Sequence, residues 1–420
     1  MYVRRSCAVL LVAGLSLNGL GALTPRIDGL AVVQGKDRKV GISFELVGGP
    51  AIVMLDITTN GVSIGSENFP VTEAGAEASC LNRIVPSGCH TLVWDPVATW
   101  PGHRFSHGEL AVDVKAYSLV QPPDWMVVDL QSKSNVVFYA DKSDIPGGIA
   151  DRRYKTSKLL MRKIPAGATK TRIGSPTGET GRSSDETPHL VTLTNDYYMA
   201  VYELTQAQHS NAFVNAGISY YSGSKQNVSA YVGDDAEVHP LENLAPFYFR
   251  EQVTDGSGDV NWPVTDRSKV GNRTFLGYFR KFTGLLFDLP TETEWEFACR
   301  AGTVTPFNDG SASVAAVGWV SGSGSTQEVG RKRANAWDLF DMHGNVCEWC
   351  LDYYGAAFYD GSDVVSPVGP GSTADGYRVA RGGSWRLQEG SCRSAKRGYD
   401  KSTRAYDSFG YRLWCSADLR

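Results

Sequence analysis

The sequence predicts an α+β protein in which a small all-β sandwich precedes a larger domain with few regular elements. Three features predict this class: apolar residues alternate within residues 27–117, long Gly- and Ser-rich loops follow residue 154, and helical patterns are few. The 420 residues are 42% hydrophobic and 11% aromatic. This composition excludes a disordered protein, and the length allows two or three domains.

The first predicted domain, residues 27–117, has the periodicity of half-buried strands. Val40, Ile42, Phe44 and Leu46 alternate with small or polar residues. Further strands are predicted at Ala51–Thr58, Val62–Ile64, Thr91–Trp94 and Leu110–Tyr117, with a hairpin turn at Asn60-Gly61. This segment holds no catalytic constellation, and we interpret it as a spacer or docking module.

Residues 118–153 are predicted to be a linker, because turn-forming Pro and Gly motifs occur at 121–124 and 146–148. The larger domain, residues 154–420, follows. Its predicted strands are Lys158–Ile164, Leu190–Leu193 and Tyr197–Tyr202, and its predicted helices are Thr205–Ala216, Ser268–Thr283 and one that begins at Thr291. Thr291 and Glu294 match a capping box, which predicts the start of that last helix.

The first 22 residues have the order of segments found in a secretory signal peptide. Arg4 and Arg5 precede the apolar run 7–15, and small residues then lead to the polar Thr24. The run is too short to span a bilayer comfortably, and no later stretch approaches 18 apolar residues. We expect an exported protein, periplasmic or extracellular, without a membrane span after leader removal. An uncleaved N-terminal anchor is the alternative.

The charge balance excludes two classes of function. The chain has 41 Lys and Arg against 45 Asp and Glu, which gives a net charge of −4. A general nucleic-acid or membrane-surface binder carries a marked positive charge. We therefore expect no nucleic-acid partner.

A series of motifs in the larger domain resembles one known family. In chain order the motifs are Gly174-Ser175-Pro176, Asp185–His189, Tyr202–Gln206, Leu289–Gly302, Asp341–Trp349, Arg381–Trp385, Cys392–Ala395 and Gly410–Arg412. Together they resemble the formylglycine-generating enzyme, or sulfatase-modifying factor, family over about residues 158–420. The resemblance implies a C-type-lectin-like fold, with a small twisted sheet, two or three helices and much loop.

Active members of this family oxidise a cysteine of a sulfatase polypeptide to formylglycine with copper and dioxygen. Two thiols shortly after the Gly-Gly-Ser motif bind the copper, because soft thiolates select Cu(I). Here no Cys lies between Ser384 and Cys392, so copper is not expected. We favour a non-catalytic ligand- or protein-binding member, and an active oxidase acting on sulfatases is the alternative.

A third alternative is a non-haem iron oxidase, as among other relatives of the family. Those proteins draw their iron ligands from His clusters on a separate helical domain. Four of the seven histidines here, His189, His209, His239 and His343, are too isolated along the chain to form such a cluster. The sequence therefore does not favour this alternative.

Export changes the interpretation of the cysteines, because disulfides form in oxidising compartments. Without Cys7 of the leader seven cysteines remain, so at least one is unpaired within the chain. Cys80 and Cys89 flank a Pro-Ser-Gly turn and are predicted to close a local loop. The family resemblance implies a second disulfide, between Cys299 and Cys392.

Three further cysteines have no unique partner in the sequence. Either Cys350–Cys415 or Cys347–Cys415 is predicted to form a disulfide, which leaves one buried thiol. A soft-metal site made by all three is the less favoured alternative, because exported cysteines usually pair.

The resemblance also implies one calcium site. Asp341, Gly344, Val346 and Glu348 match the positions where the family supplies a side-chain oxygen, two backbone carbonyls and a carboxylate. Calcium binds such hard oxygens, and the spacing lets one loop surround the ion. The alternative is that Asp341 and Glu348 cap the turn and pair with nearby Arg.

The C-terminal segment is rich in arginine. Between Arg378 and Arg420 it carries eight Arg and two Lys against four acidic residues. Arg binds carboxylates and sulfates bidentately, so a positive surface could hold an anionic glycan; Arg bonded to backbone carbonyls is the alternative. The candidate ligand-surface residues are Ser384, Trp385, Arg386, Gln388, Arg393 and Arg404. The expected partner is an unknown protein or an anionic glycan, or a sulfatase polypeptide if the oxidase alternative holds.

Overall fold

A computed structural model describes most of the chain after the predicted leader. The described residues are 24–65, 71–73, 81–99, 101–102, 110–132, 136–215, 229–251, 267, 269–371, 373 and 375–420. The predicted signal peptide, residues 1–22, and Cys80 lie outside them. None of the described helices is long and apolar enough to cross a bilayer.

The described part of the N-terminal region forms strands and one short helix. The elements are β1 Arg26–Gln34, β2 Val40–Val47, β3 Ala51–Thr59, β4 Val62–Ser63, β5 Val71–Glu73, β6 Arg83–Val85, β7 Gly88–Trp94, α1 Pro96–Thr99 and β8 Leu110–Ser118. One antiparallel sheet has the order β1-β2-β7-β5. In the other sheet, β3 pairs with β4, β6 and β8. Both sheets contribute to one apolar core.

The predicted strand pattern of this region is confirmed at β2 and β3. Every second residue of β2 from Val40 to Leu46 is buried, as a strand with one face on a core requires. Asn60 and Gly61 connect β3 to β4 with φ values of 51° and 77°. Two positive φ values define the tight hairpin turn that the Asn-Gly pair predicts.

The N-terminal sheets pack directly against the rest of the chain. Strand β3 is buried on both faces: Ala51 and Val53 belong to the sandwich core, and Ile52 belongs to the largest core of the following domain. The Leu419 N–H also donates to the Leu119 carbonyl at 2.9 Å. The two regions therefore share an apolar contact surface.

In its described residues, the remaining chain has many short strands and three further α-helices. Its strands are β9 Trp125–Asp129, β10 Val136–Tyr139, β11 Lys158–Ile164, β12 Thr169–Ile173, β13 His189–Leu193, β14 Tyr197–Ala200, β15 Phe287–Asp288, β16 Gly318–Trp319, β17 His343–Gly344, β18 Cys347–Tyr353, β19 Val364–Val365, β20 Tyr377–Arg381, β21 Gly398–Lys401, β22 Phe409–Gly410 and β23 Trp414–Ser416. Its helices are α2 Gln206–Asn215, α3 Phe275–Thr283 and α4 Glu292–Arg300, with a π-helical turn at Phe247–Glu251.

The segment predicted as a linker, residues 118–153, is instead part of the second domain. Strands β9 and β10 extend the six-stranded sheet β10-β9-β11-β14-β23-β15. The physical reason is the apolar run from Trp125 to Val128, in which all four side chains are buried. The Pro-rich motif at 121–124 marks the entry to a strand and not a flexible connection.

Two of the three predicted helices start where the sequence indicates. Helix α2 lies within the predicted range, and α4 has both bonds of the capping box: Glu294 N–H to Thr291 Oγ1 at 3.2 Å, and Thr291 N–H to Glu294 Oε2 at 2.8 Å. The predicted helix 268–283 begins only at Phe275. Thr274 is its cap and accepts from the Gly277 N–H at 3.1 Å, so the helical spacing of Val270 was misleading.

A second four-stranded sheet, β21-β20-β18-β22, carries the motifs that resemble the family. Strand β18 pairs antiparallel with β20 and parallel with β22. This brings the Asp341–Trp349 motif, the Arg381–Trp385 motif and the Gly410–Arg412 motif to one place. The candidate site is built there.

Candidate functional site

The Asp341–Glu348 turn is fixed by its backbone geometry. Asp341 and Asn345 have left-handed φ values of 57° and 56°, which Asp and Asn tolerate better than most residues. Gly344 has φ 91°, and a Cβ there would lie 1.9 Å from the Trp319 carbonyl oxygen. Only glycine fits this close approach of β17 to β16.

The carboxylate of Glu203 fixes the Asp341–Glu348 turn through two hydrogen bonds. Its carboxylate accepts from Asn345 Nδ2 at 2.6 Å and from the Val346 N–H at 3.1 Å. It is completely buried. Burial, with Asp341 and Glu348 nearby, raises the pKa of Glu203 well above its usual value.

Glu348 is bound by Arg412 and Trp295. Arg412 Nε lies 2.9 Å from both carboxylate oxygens of Glu348, and Nη2 lies 2.6 Å from Oε1. The Trp295 indole N–H donates to Oε2 at 2.5 Å. Arg412 also donates to three backbone carbonyls, those of Ala200, Val201 and Phe340, at 2.7 to 3.0 Å. This guanidinium therefore connects β14, the segment before the turn, and β18.

Asp341 is the carboxylate of this cluster with an unused oxygen. Its Oδ2 accepts from the Gly330 N–H at 2.6 Å, whereas its buried Oδ1 has no hydrogen-bond partner among the described residues. Burial raises its pKa to about 6. Three buried carboxyls, Glu203, Asp341 and Glu348, thus surround a single guanidinium.

The four residues implied as calcium ligands are differently placed in this cluster. Asp341 offers an oxygen, and the excess of carboxyl groups over cations favours a positive ion nearby. Glu348 faces Arg412 and Trp295 with both oxygens, so its carboxylate is committed to them. The described residues contain no group of three or more His, Cys, Asp and Glu side chains placed to hold a metal. Calcium at this turn stays a prediction that rests on Asp341 and backbone carbonyls.

The loop between β20 and β21 contains five of the six predicted ligand-surface residues, and Arg404 lies after β21. Its backbone follows the turn, since the Trp385 N–H donates to the Asn345 carbonyl at 2.9 Å. The guanidinium carbon of Arg386 lies 4.2 Å from the centroid of the Trp385 ring, and Arg386 forms an ion pair with Asp407. Leu387 is 40% exposed, and Gln388 is exposed as well. We call the surface formed by residues 385–388 the ligand loop.

Two predicted surface residues are not on the surface. Ser384 is 1% and Arg393 2% exposed. Arg393 binds Glu186 with two nitrogens, at 2.8 and 2.9 Å, and also binds Glu179. Its role is to hold the 179–186 segment, so Ser384 and Arg393 are removed from the ligand surface. Arg404 is exposed, and it lies 3.4 Å from Asp400.

The arginine excess of the C-terminal segment does not produce a free positive surface. All eight guanidinium groups have a carboxylate partner. The pairs are Arg378–Glu251, Arg381–Glu296, Arg386–Asp407, Arg393–Glu186, Arg397–Glu292, Arg404–Asp400, Arg412–Glu348 and Arg420–Asp418. Four of them, Arg381, Arg393, Arg397 and Arg412, also donate to backbone carbonyls. These contacts favour the alternative role, in which Arg is bonded to backbone carbonyls.

The implied Cys299–Cys392 disulfide is absent from the structure, in which both residues are thiols. Cys299 Sγ lies 3.7 Å from Ser394 Oγ and 3.8 Å from His343 Nε2. Cys392 Sγ instead lies 3.9 Å from the Ser384 carbonyl oxygen and 3.8 Å from that of Gln388. Ser394, two residues further along, occupies the place opposite Cys299. Because Cys80 is outside the described residues, the Cys80–Cys89 prediction stays untested.

The other three cysteines do not meet either. Cys347 and Cys350 are three residues apart on β18, so they point to opposite faces of the strand. Cys347 and Cys415 lie in the largest core, and Cys350 lies in a second core around Trp295. All three are buried thiols in the structure, and burial raises the pKa of each. The predicted Cys350–Cys415 and Cys347–Cys415 bonds are therefore absent from this arrangement, as is a three-thiol site.

The four histidines considered for an iron site, His189, His209, His239 and His343, are buried. His343 uses both ring nitrogens: Nδ1 lies 2.7 Å from the Cys392 carbonyl, and Nε2 accepts from the Asn308 N–H at 3.1 Å. Burial lowers its pKa to about 4 and that of His209 to about 3. Both are neutral residues of the core at ordinary pH.

Sequence reasoning missed two residues that organise this site, Glu203 and Arg412. Both were part of quoted motifs but were assigned no role. A signal exists for Glu203, because it follows the apolar run Ala200-Val201-Tyr202 and precedes Leu204. A carboxylate inside a buried run needs a partner, which is a reason to look for one.

Fold and site define a class: a loop-rich α+β domain in which buried arginines hold irregular backbone around a motif-bearing turn. Residues 150–417 match the sulfatase-modifying factor enzyme 1-like domain family, and the chain belongs to this family. The chain is 29% identical over 314 residues to the formylglycine-generating enzyme of Bos taurus, which covers 67% of this chain and 80% of that one.

Two further relatives match shorter parts. The formylglycine-generating enzyme of Streptomyces coelicolor is 33% identical over 154 residues, 31% of this chain and 47% of that enzyme. The serine/threonine-protein kinase pkn1 of Chlamydia pneumoniae is 34% identical over 141 residues, 30% of this chain. The chain spans 20% of that kinase. Among solved structures, Treponema denticola variable protein 1 has 25% identity and a TM-score of 0.46, and the match covers 62% of this chain and 95% of that one.

Proposed function

We propose that this chain is a non-catalytic member of its family that binds a protein partner through the ligand loop. The observation that carries the proposal is the state of two thiols near that loop, Cys392 and Cys347, which interact with each other and are both buried. Cys392 is completely buried, its sulfur lies against two backbone carbonyls, and burial raises its pKa to about 12. Copper(I) chemistry of the family type needs two accessible thiolates, whereas burial raises the pKa of both Cys392 and Cys347 and keeps them from solvent.

The exposed residues of the ligand loop have the chemistry of a protein interface. A tryptophan ring is stacked under a guanidinium, next to the 40% exposed Leu387. Trp and Arg dominate the energetics of many protein interfaces. The Ser321 N–H donates to the Leu387 carbonyl at 2.8 Å, which places Trp319 and its stacked Lys332 on the adjacent segment. A protein fits this mixed aromatic and aliphatic surface better than an anionic glycan, because the arginines are paired.

The first experiment measures metal content and catalysis together. The purified mature protein is incubated with Cu(I) and then with a peptide carrying a sulfatase motif. We expect no stoichiometric copper and no conversion of the peptide cysteine to formylglycine by mass spectrometry. Conversion above that of a heat-denatured sample would overturn the proposal.

A second experiment tests the binding surface. A photo-reactive amino acid is placed at position 387, and a matched control carries it at position 304, where Val304 is 80% exposed but far along the chain from the loop. We expect the first variant to trap a protein from the exported fraction of the source cells that the second does not. Identical products from both positions would contradict the assignment of the loop.

The alternative function, an active oxidase acting on sulfatases, is supported by the long match to the formylglycine-generating enzyme of Bos taurus. It would require copper ligands other than a thiol pair after the Gly-Gly-Ser motif. The conversion assay decides between the two functions.

Three finer features belong to the same proposal: export through the leader, a C-type-lectin-like fold for residues 154–420, and calcium at the Asp341 turn. The calcium part is supported by the unused Asp341 oxygen. We expect Ca²⁺ to raise the Tm of the wild type by a few degrees and to leave Asp341→Ala unchanged, because a ligand that binds only the folded state stabilises it. Equal Tm shifts in both proteins would place the ion elsewhere.

A further inference from the structure

The ligand loop is joined to the 319–321 segment by backbone hydrogen bonds. The Asn345 N–H donates to the Trp319 carbonyl at 2.8 Å, and the Asn345 carbonyl accepts from the Trp385 N–H at 2.9 Å. The backbones of the two tryptophans therefore lie on either side of one residue. The Ser321 N–H also donates to the Leu387 carbonyl at 2.8 Å. Residues 319–321 therefore adjoin the ligand loop.

Each of the two tryptophans carries a positive group on its ring. Lys332 Nζ lies 4.2 Å from the centroid of the Trp319 ring, as the guanidinium carbon of Arg386 does from that of Trp385. A ring face attracts a cation electrostatically, so each contact favours one position of a long side chain. Leu387 follows Arg386 and is 40% exposed. An exposed aliphatic side chain thus lies on a surface that two neighbouring segments supply with positive charge.

The two positive groups differ in their counter-charge. Arg386 is paired with Asp407. Lys332 Nζ donates to the Ala315 carbonyl at 2.7 Å in an exposed position, and it forms no ion pair within the part of the chain that the structure describes. An ammonium group has three donors, and this carbonyl uses only one of them. Lys332 is therefore able to bind a carboxylate of another molecule.

The carboxylates around this surface are already engaged with other groups. The contacts are those of Glu328 with Lys155 and Arg331, Asp309 with Arg333, Asp407 with Arg386, and Glu389 with the Val314 N–H. None of these four carboxylates is paired with Lys332. The positive charge of Lys332 is therefore not neutralised by them.

These observations discriminate between classes of ligand. An anionic glycan would neutralise Lys332, but it has no aliphatic side chain to cover Leu387. A purely apolar segment would cover Leu387 and leave the charge of Lys332 without a partner. A peptide in which a carboxylate lies next to an aliphatic side chain satisfies both groups, since electrostatic complementarity steers binding and apolar burial stabilises it.

We infer that the ligand loop, together with Lys332, binds a protein segment in which an acidic residue lies next to an aliphatic one. The carboxylate would pair with Lys332 beside the Trp319 ring, and the aliphatic side chain would cover Leu387. The inference rests on the function proposed for the ligand loop and adds the chemistry of the partner. Because an exposed ion pair contributes to the binding, the affinity should fall as the ionic strength rises.

The test is the selection of phage-displayed random heptapeptides on the immobilised full chain and on its Lys332→Gln variant. Gln removes the charge and keeps an N–H donor for the Ala315 carbonyl. We expect the wild type to select peptides with Asp or Glu next to Leu, Ile or Val, and Lys332→Gln to lose the acidic preference. Lys332→Glu should reverse the preference to peptides with Lys or Arg. Lys170→Gln, at an exposed lysine on β12, is the matched control and should select as the wild type does.

The affinity for one selected acidic peptide, measured by calorimetry, separates this inference from the function on which it rests. We expect Lys332→Gln to weaken the binding by about threefold to fivefold, the effect of losing one exposed ion pair. Leu387→Ser should weaken it by about fivefold or more through lost apolar burial.

Two results would overturn the inference and leave the ligand loop as a binding site. One is a set of peptides that respond to Leu387→Ser but show no acidic preference, and the other is equal affinity for the wild type and Lys332→Gln. Binding that is insensitive to Leu387→Ser, or the selection of no peptide at all, would contradict the proposed function as well.

Discussion

The N-terminal sheets and the family domain bury different kinds of side chain. Within the described part of residues 26–118 the buried side chains are apolar apart from His90. The family domain buries seven guanidinium groups and nine carboxyl groups in its described part. The sandwich is therefore stabilised mainly by apolar packing between sheets, and the domain depends in addition on buried ion pairs.

The difference follows from how each region satisfies its backbone. Long paired strands satisfy the amides of the sandwich, such as the nine-residue register of β3 with β8. The family domain has many strands of two to five residues, so loop carbonyls need other donors. Arg412 alone donates to three backbone carbonyls, and two of these, of Val201 and Phe340, lie outside the strands. Each buried guanidinium then requires a buried carboxylate, which explains the clusters of charge.

The largest loss of stability is expected at Arg412, whose guanidinium bonds one carboxylate and three backbone carbonyls. Arg412→Met should lower the free energy of unfolding by about 3–5 kcal/mol, because Glu348 is left buried and unpaired. Urea denaturation and soluble yield measure this. A cost below 1 kcal/mol would show that the buried arginines do not hold the domain.

Apolar truncation in the sandwich should cost nearly as much. Ile42 is fully buried between the sheets, so Ile42→Ala should cost about 2–4 kcal/mol through lost burial and a residual cavity. Val33→Ala, at a side chain that is 66% exposed on β1, is the control and should have almost no effect. Calorimetry of both variants checks this, and equal Tm values would contradict a packed sandwich.

A buried carboxyl that hydrogen-bonds to no arginine should make stability depend on pH. Burial raises the pKa of Glu242 from 4.5 to about 7. The folded state therefore keeps a proton that the unfolded state releases, so the free energy of unfolding falls as pH rises from about 4.5 to 7. Glu242→Gln removes this fall and should be more stable than the wild type by roughly 1–2 kcal/mol at pH 8. Parallel pH profiles for the two proteins would contradict the assignment.

The smallest loss of stability is expected when an ion pair on the surface is removed. Arg386 and Asp407 form an ion pair at the surface, where the Arg386 side chain is 52% exposed. Arg386→Met should cost less than about 1 kcal/mol, because water screens such pairs. The same substitution at Arg412 is the direct comparison. Equal costs would remove the distinction between buried and surface arginines.

The sequence predicted the elements whose signals are local. Alternation identified β2, the Asn-Gly pair identified the hairpin after β3, and the capping box identified α4. The wrong predictions concern segments whose structure depends on contacts with distant residues. Residues 118–153 were predicted to be a linker but contain two strands, because the run from Trp125 to Val128 pairs with β11. The start of α3 was misplaced because Thr274 was available as a cap.

By itself the sequence determined the family, the periodic strands and the lack of a thiol between Ser384 and Cys392. These follow from the order and spacing of residues along the chain. Only the tertiary structure decided which charges meet: Arg412 with Glu348, 64 residues apart, and Arg393 with Glu186, 207 apart. It also separated Cys299 from Cys392 and removed Ser384 from the surface. Side-chain direction and burial depend on how distant strands pack, and no local pattern encodes that packing.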